Sequence, residues 1–272
     1  MDAAETVALE IVDHVAVVTL NRPESRNALN LPMCRRLIEI FSSLDDHPDV
    51  RAVALRGGGP VFCAGADLKE RHDKDESWIR NRRLASFDAY RHIENCGKPV
   101  VALVHGAVVG SGGEMAMASD FIYASSDVLF KFPEVHWGTV GATQRLQRVI
   151  GKRKAKELLF TNGTLTADDA QRYGLVQRVF ATDELFTRGL ETARTMANAP
   201  AMSARLTKQA IDLGSEVTLE EGIGIEMKAI ERNLADGGWR DGLTRFSADH
   251  KTSDRVVEVT EQGVDGAGAE RG

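Results

Sequence analysis

The chain has 272 residues, enough for one large domain or for one domain with a small appendage, and 43% of them are hydrophobic, so a sizeable core can be buried. Lys and Arg number 34 against 40 Asp and Glu, and the net charge of −6 argues against general nucleic-acid binding, which wants a basic domain, while leaving room for a local basic patch that serves a phosphorylated small molecule. Cys34, Cys63 and Cys96 form no CxxC pair, which excludes a zinc knuckle and a disulfide framework and leaves buried free thiols as the expectation.

The opening segment MDAAETVALEIVD is acidic, with neither an apolar core nor an Arg-rich face, so no targeting peptide and a cytoplasmic protein are expected. No apolar run approaches the ~18 residues of a membrane span. Val7–Val12 and Val15–Leu20 read as a hairpin around Asp13 and His14. NRPESRN is a turn-rich loop, and Leu37, Ile38, Phe41 and Leu44 give Leu31–Leu44 a helical period. A strand over Val50–Leu55 runs into GGGPVFCAGADLKE, and a charged helical segment spans about Ser77 to Asn95. Pro99–Val104 reads as a buried strand, a glycine-rich turn feeds a short helix through Met115–Ala118, and Phe121–Ala124 reads as a further strand. Strand, loop and helix thus alternate, the pattern of an α/β chain. From Lys152 onward helical patterns dominate, ending in an amphipathic segment over Leu219–Ala235. The tail from about Lys251 to Gly272 has few large apolar residues and is expected to be a flexible extension.

The chemistry concentrates in HGAVVGSGGEM, His105 to Met115. Ser111 between glycines suggests a nucleophile, but G-x-S-x-G fails because position 109 is valine, and spacing assigns neither His105 nor His136 to Ser111 as a base. A second reading uses the backbone. A strand that ends in glycines and opens a helix exposes N–H groups, which bind phosphate or a developing oxyanion. The small-residue loop Cys63-Ala64-Gly65-Ala66-Asp67 also follows a strand, and two such loops could aim two N–H groups at one oxygen; the alternative is two ordinary tight turns. Glu114 lies in the first helical turn after the glycines, and Glu134 lies in KFPEVHWG after a strand. If the intervening helix and strand bring the carboxylates together, the pair suits acid–base work on a carbonyl compound; otherwise each is a solvated surface glutamate.

The motifs VAVVTLNRPESRNALN, RAVALRGGGPVFCAGADLKE, KPVVALVHGAVVGSGGEMAMASDFIYAS, FPEVHWGT and TQRLQRVIGKRKAKELLFTNGTLTADDAQRYGLVQRVF occur in this order over nearly the whole chain. In them the chain resembles the enoyl-CoA hydratase/isomerase, or crotonase, superfamily. The resemblance implies an α/β fold, a crotonase-like spiral of repeated ββα units over residues 1–199. It implies a C-terminal helical trimerisation region over 200–250 that assembles a homotrimer or homohexamer. It implies an acyl-CoA thioester as substrate, no metal, no redox cofactor, no nucleic-acid or membrane partner, and a place in fatty acid metabolism. Ala66 and Ser111 match the two backbone donors of the oxyanion hole, which gives Ser111 a main-chain role, and Glu114 and Glu134 match both acid/base glutamates of hydratases. Arg26, Ala28, Ala64, Asp67, Leu68, Lys69 and Gly110 match positions around the substrate and coenzyme A, with Arg26 and Lys69 as phosphate partners or solvated surface charges.

The loop Gly138-Thr-Val-Gly-Ala-Thr-Gln-Arg145 departs from that pattern: it is three residues shorter than G-x-x-P-G-A-G-G-T-Q-R and lacks the proline. His136 and Trp137 are expected to reshape the acyl pocket, and His136 either acts as a pH-active catalytic group, ranked below the glutamates, or points into the core. Arg80, Arg82, Arg83 and Arg91 are expected on a solvated helix face. Hydration of a 2-enoyl-CoA is the leading expectation. The alternatives are isomerisation, C–C or thioester hydrolysis, a non-catalytic acyl-CoA-binding member, which would not need both glutamates, and a serine hydrolase.

Overall fold

Val7–Val12 (β1) and Val15–Leu20 (β2) pair antiparallel across Asp13 and His14, both at positive φ, as the expected hairpin. The structure is a computed structural model that describes residues 6–240 and 242–244; the extension expected over 251–272 lies outside them. The chain divides into two compact units, Met1–Ala199 and Pro200–Gly272.

In the first unit β2 is followed in parallel by Ala52–Gly57 (β3), Val100–Val104 (β4), Phe121–Ser125 (β6) and Arg178–Phe180 (β9), giving a six-stranded sheet in the order β1-β2-β3-β4-β6-β9. The runs VAVV, AVAL and VVALV are buried along their length, the signature of parallel strands covered on both faces. A smaller sheet holds Ala107–Val109 (β5), Leu129–Lys131 (β7) and Thr164–Thr166 (β8). Strands therefore come in pairs, β4 then β5 and β6 then β7, one in each sheet, and the chain winds on between them. That is the expected spiral of ββα turns.

One face of the large sheet is covered by Leu31–Leu44 (α1), whose Leu37 and Phe41 join the main core, and by Glu76–Glu94 (α2), whose Tyr90 and Ile93 join it as well. Asn30 caps α1 by accepting the Met33 N–H at 3.0 Å. Leu185–Ala197 (α7) covers the other face, packing Leu185 and Ala193 around Leu103 and Tyr123. Between them in sequence lie Ser111–Met117 (α3), Thr143–Ile150 (α4), Lys152–Thr161 (α5) and Ala167–Arg172 (α6). The glycine-rich helix starts at Ser111 itself, earlier than Met115, because a glycine costs about 1 kcal/mol in a helix and hides the periodicity without forbidding the turn. Strands β5, β7, β8 and β9 are three residues each, too short to show a period of two.

The second unit is a helical hairpin of Ala201–Gly214 (α8) and Leu219–Asp236 (α9). Thr218 and Glu221 form a capping box at the start of α9. The two helices approach at Gly214 and Gly222, and Ser203 donates to Asn233 Oδ1 at 2.9 Å near the other end. Their groove is apolar, yet Leu219, Ile223, Met227 and Leu234 remain exposed in the single chain.

Candidate active site

Two loops that follow strands are stitched together by backbone pairing. Cys63 pairs with Val108 of β5, and the Val109 N–H donates to the Cys63 carbonyl at 2.9 Å. The approach is so close that a Cβ on Gly112 would lie 2.7 Å from the Cys63 carbonyl oxygen, so only glycine fits there. On the far side of the 63–67 loop, the Leu29 N–H donates to the Gly65 carbonyl and the Asp67 N–H donates to the Leu29 carbonyl, each across a short gap of 2.8–2.9 Å. The Ala66 N–H takes no part in that ladder. Ser111 is the first residue of α3, whose first internal bond is Glu114 N–H to the Gly110 carbonyl, so the Ser111 N–H has no intrahelical acceptor either. Ala66 and Ser111 line one cavity of 290 Å³ together with Gly65, Leu68, Gly110 and Glu134.

Ser111 is not among the residues at positive φ, so serine carries no backbone penalty there. Its side chain is buried beside the Tyr90 phenol. His105 Nε2 lies 2.9 Å from the Gly59 carbonyl and His136 Nε2 lies 3.1 Å from the Phe160 carbonyl, so neither imidazole serves Ser111 as a base. His136 is exposed and does not line the cavity, whereas the neighbouring Trp137 does.

Both glutamates are buried, Glu114 at 4% and Glu134 at 8% exposure, which overturns the reading of either as a solvated surface residue. Arg83 Nη2 donates to Glu114 Oε2 at 2.9 Å and supplies its counter-charge. Glu134 follows Pro133 on the 3-10 turn Glu134–Trp137. Its Oε1 lies 2.5 Å from the point where a Cβ on Gly110 would stand, and Gly110 has φ of +45°, so glycine is required twice over at that position. The Glu134 Oε2 is buried without a hydrogen-bond partner among the described residues. Burial first, and then the Glu114 charge, push the Glu134 carboxyl above the usual carboxylate range, with the Glu134 backbone N–H and Arg83 opposing. In the shortened loop, a Cβ on Gly141 would lie 2.8 Å from both Arg83 Nη2 and Glu134 Cγ, so those two groups are within twice that distance of each other. Glu114, Arg83 and Glu134 thus form one charged cluster. Glu114 itself lines an adjoining cavity with Arg83, Phe87, Val140 and Gly141.

The other residues expected around the ligand divide. Leu68 and Gly110 line the cavity. Asp67 accepts from Arg22 at 3.1 Å and from the Lys69 N–H at 3.1 Å, so its carboxylate closes the loop. The Ala64 N–H donates to the Arg26 carbonyl at 2.9 Å, and the Ala28 carbonyl accepts from Arg22. The side chains of Arg26 and Lys69 are exposed and lie off the cavity wall. Asn27, fully buried, donates to the Gly58 and Val61 carbonyls at 2.8 and 2.9 Å and fastens this turn to the loop after β3.

Arg82 and Arg83 correct the expectation of a solvated helix face. Arg82 is buried, paired with Glu70 and donating to the Leu29 carbonyl and to Ser86. Arg80 and Arg91 are exposed as expected. The buried positions 82, 86, 89, 90 and 93 trace one helical face, a spacing that carried the signal for Arg82 in the sequence.

A spiral of ββα turns that gathers a buried carboxylate cluster and two N–H groups unpaired among the described residues is the architecture of the crotonase class. The model of the enoyl-CoA hydratase/isomerase family matches residues 10–253. A probable enoyl-CoA hydratase of Rhizobium meliloti is 36% identical over 91% of this chain and 96% of its own length. A short-chain-enoyl-CoA hydratase of Clostridium acetobutylicum is 35% identical over 88% of this chain and 94% of its own. The crystal structure of an enoyl-CoA hydratase from Bacillus anthracis superposes with a TM-score of 0.87 at 31% identity, covering 90% of this chain and 96% of that one. The chain belongs to the enoyl-CoA hydratase/isomerase family.

Proposed function

We propose that this protein is an enoyl-CoA hydratase-type lyase that adds water reversibly to a 2-enoyl-CoA thioester. The observation that carries the reading is the pairing of two free backbone N–H groups, at Ala66 and Ser111, with the Glu134 carboxyl in one cavity and Glu114 in contact through Arg83.

The thioester oxygen sits between the Ala66 and Ser111 N–H groups. Glu114, paired with Arg83, takes a proton from water as the water oxygen bonds to the β-carbon. The π electrons move through the conjugated system onto the thioester oxygen, where the two N–H groups stabilise the developing charge. Glu134, whose environment favours the protonated form, delivers its proton to the α-carbon as the carbonyl re-forms. The proton on Glu114 then leaves through water and Glu134 is reprotonated, so the cycle closes without redox change and asks for no cofactor beyond the coenzyme A of the substrate. Exposed Leu68, Trp137 and Val140 give the cavity an apolar rim suited to the thioester arm. Arg26 and Lys69, being solvated, fit phosphate contacts at the outer end of coenzyme A, and the Ala28, Ala64 and Asp67 backbone shapes the turn that presents them.

The apolar stripe on α9 supports assembly into a homo-oligomer, a trimer or hexamer, through the second unit. Three free buried thiols suit a reducing compartment, the cytoplasm, and the reaction suits fatty acid metabolism. Incubation with crotonyl-CoA, with product mass as the readout, tests the reaction. A gain of one water supports hydration. An isomer of unchanged mass, or free coenzyme A, would replace it with isomerisation or thioester hydrolysis.

A further inference from the structure

The cavity that holds Ala66, Ser111 and Glu134 also holds two arginines, Arg71 and Arg83. They differ in their partners. Arg83 is committed to Glu114 at 2.9 Å. Arg71, the last residue of the 3-10 turn Leu68–Arg71, has no carboxylate within ion-pair distance among the described residues. The acid next to it in sequence is spent elsewhere: Glu70 pairs with Arg82 through one oxygen and accepts the Leu31 N–H at 2.9 Å through the other. Asp73, two residues on, is engaged by His72 at the exposed surface. Burial, and then the positive charges of Arg82 and Arg83, lower the Arg71 pKa, with Glu70 and Tyr90 opposing. A half-buried guanidinium without a carboxylate partner among the described residues thus stands beside the reacting centre.

Resting on the acyl-CoA reading above, we propose that Arg71 makes this cavity selective for acyl-CoA thioesters whose acyl chain carries a terminal carboxylate. A purely hydrocarbon acyl group would press apolar surface onto a guanidinium and leave it without an anion, whereas a carboxylate offers the planar, two-oxygen acceptor that arginine matches. The remaining charges leave this assignment open to Arg71 alone. The charges acting on Glu134 are those of Glu114 and Arg83, and Arg83 already has its counter-ion.

An anion could reach Arg71 from the acyl chain or from a phosphate of coenzyme A, and one pair of ligands separates the two. Butyryl-CoA and glutaryl-CoA share the coenzyme and differ by a carboxylate on the terminal methyl, and neither has the double bond that would let it turn over. Titration calorimetry of the full-length protein should show glutaryl-CoA binding more tightly by on the order of 10- to 100-fold, the worth of a charged hydrogen-bonded pair. Arg71→Met should collapse that ratio toward one, and Arg71→Lys, which keeps the charge, should restore part of it. A ratio near one in the parent protein, or a ratio that survives Arg71→Met, overturns the proposal while leaving the acyl-CoA reading intact. Equal weakening of both ligands by Arg71→Met overturns it in favour of a phosphate contact. Failure of the parent protein to bind either ligand overturns the acyl-CoA reading, and this proposal with it.

Discussion

Glu134 shows how one residue's surroundings suit it to its proposed role. Its carboxyl is raised by burial and by the Glu114 charge, so the native state favours the protonated form more than the unfolded chain does. The resulting ionisation penalty is absent below the unfolded value and complete above the folded one, so stability falls as pH rises between them. Glu134→Gln removes the penalty. Thermal melts should therefore show the variant gaining Tm over the parent at neutral pH, and losing that gain as pH falls below the range of an ordinary carboxylate. An equal offset at every pH would contradict the assigned shift. Ser111 makes the complementary case, because the proposed donor is its main chain. Ser111→Ala should leave kcat close to the parent value, and Ser111→Pro, which deletes the N–H, should cost on the order of 10²–10³ in kcat; a large loss in the alanine variant would return the hydroxyl to the mechanism. Both glutamates were legible in the sequence because each follows a turn marked by glycine or proline. The Arg83–Glu114 contact was not: arginines on a polar helix look alike until the loop around Gly141 is placed against one of them.

At the scale of elements, the site depends on a close approach that only glycine permits. Gly112 lets the start of α3 meet the loop at Cys63, so the contact joins the two segments that carry the Ala66 and Ser111 N–H groups. Gly112→Ala should force them apart, costing ~1–3 kcal/mol of stability from overpacking and reducing kcat by on the order of 10²–10³; urea unfolding and steady-state rates read the two effects separately, and retention of full kcat would detach the loop spacing from catalysis. The sequence showed that two small-residue loops followed strands but not that they touched. The contact runs through β5, a three-residue strand with no periodic signature, whose partners lie far away in the chain. The long elements were readable for the opposite reason: β2, β3 and β4 are continuous apolar runs, and α1 repeats its apolar residues at helical spacing over 14 residues.

For the whole molecule, the two units differ in how they satisfy their apolar surface. The first closes its core within the chain, between the sheets and α1, α2 and α7. In the second, among the described residues, the longer helix of the hairpin, α9, contains no buried residue in the single chain. In the proposed assembly this exposed stripe is the surface that another copy covers. Light scattering of the purified protein should give a trimer or hexamer, and Met227→Glu together with Ile230→Glu should shift it toward monomer; a monomeric parent protein would refute the assembly reading. The amphipathic period of α9 was evident in the sequence, but an amphipathic helix reads the same whether its apolar face meets its own domain or another copy.

The most direct test of the central claim is the rate at which crotonyl-CoA loses its conjugated enoyl-thioester absorbance, measured for the parent, Glu114→Gln and Glu134→Gln proteins with butyryl-CoA binding followed in parallel. Consumption by the parent is expected, with a loss on the order of 10²–10⁴ in each variant, the range for removal of a general acid or base, and with the saturated thioester still bound. Near-parent turnover in either variant would contradict the assignment of Glu114 and Glu134 as the acid–base pair.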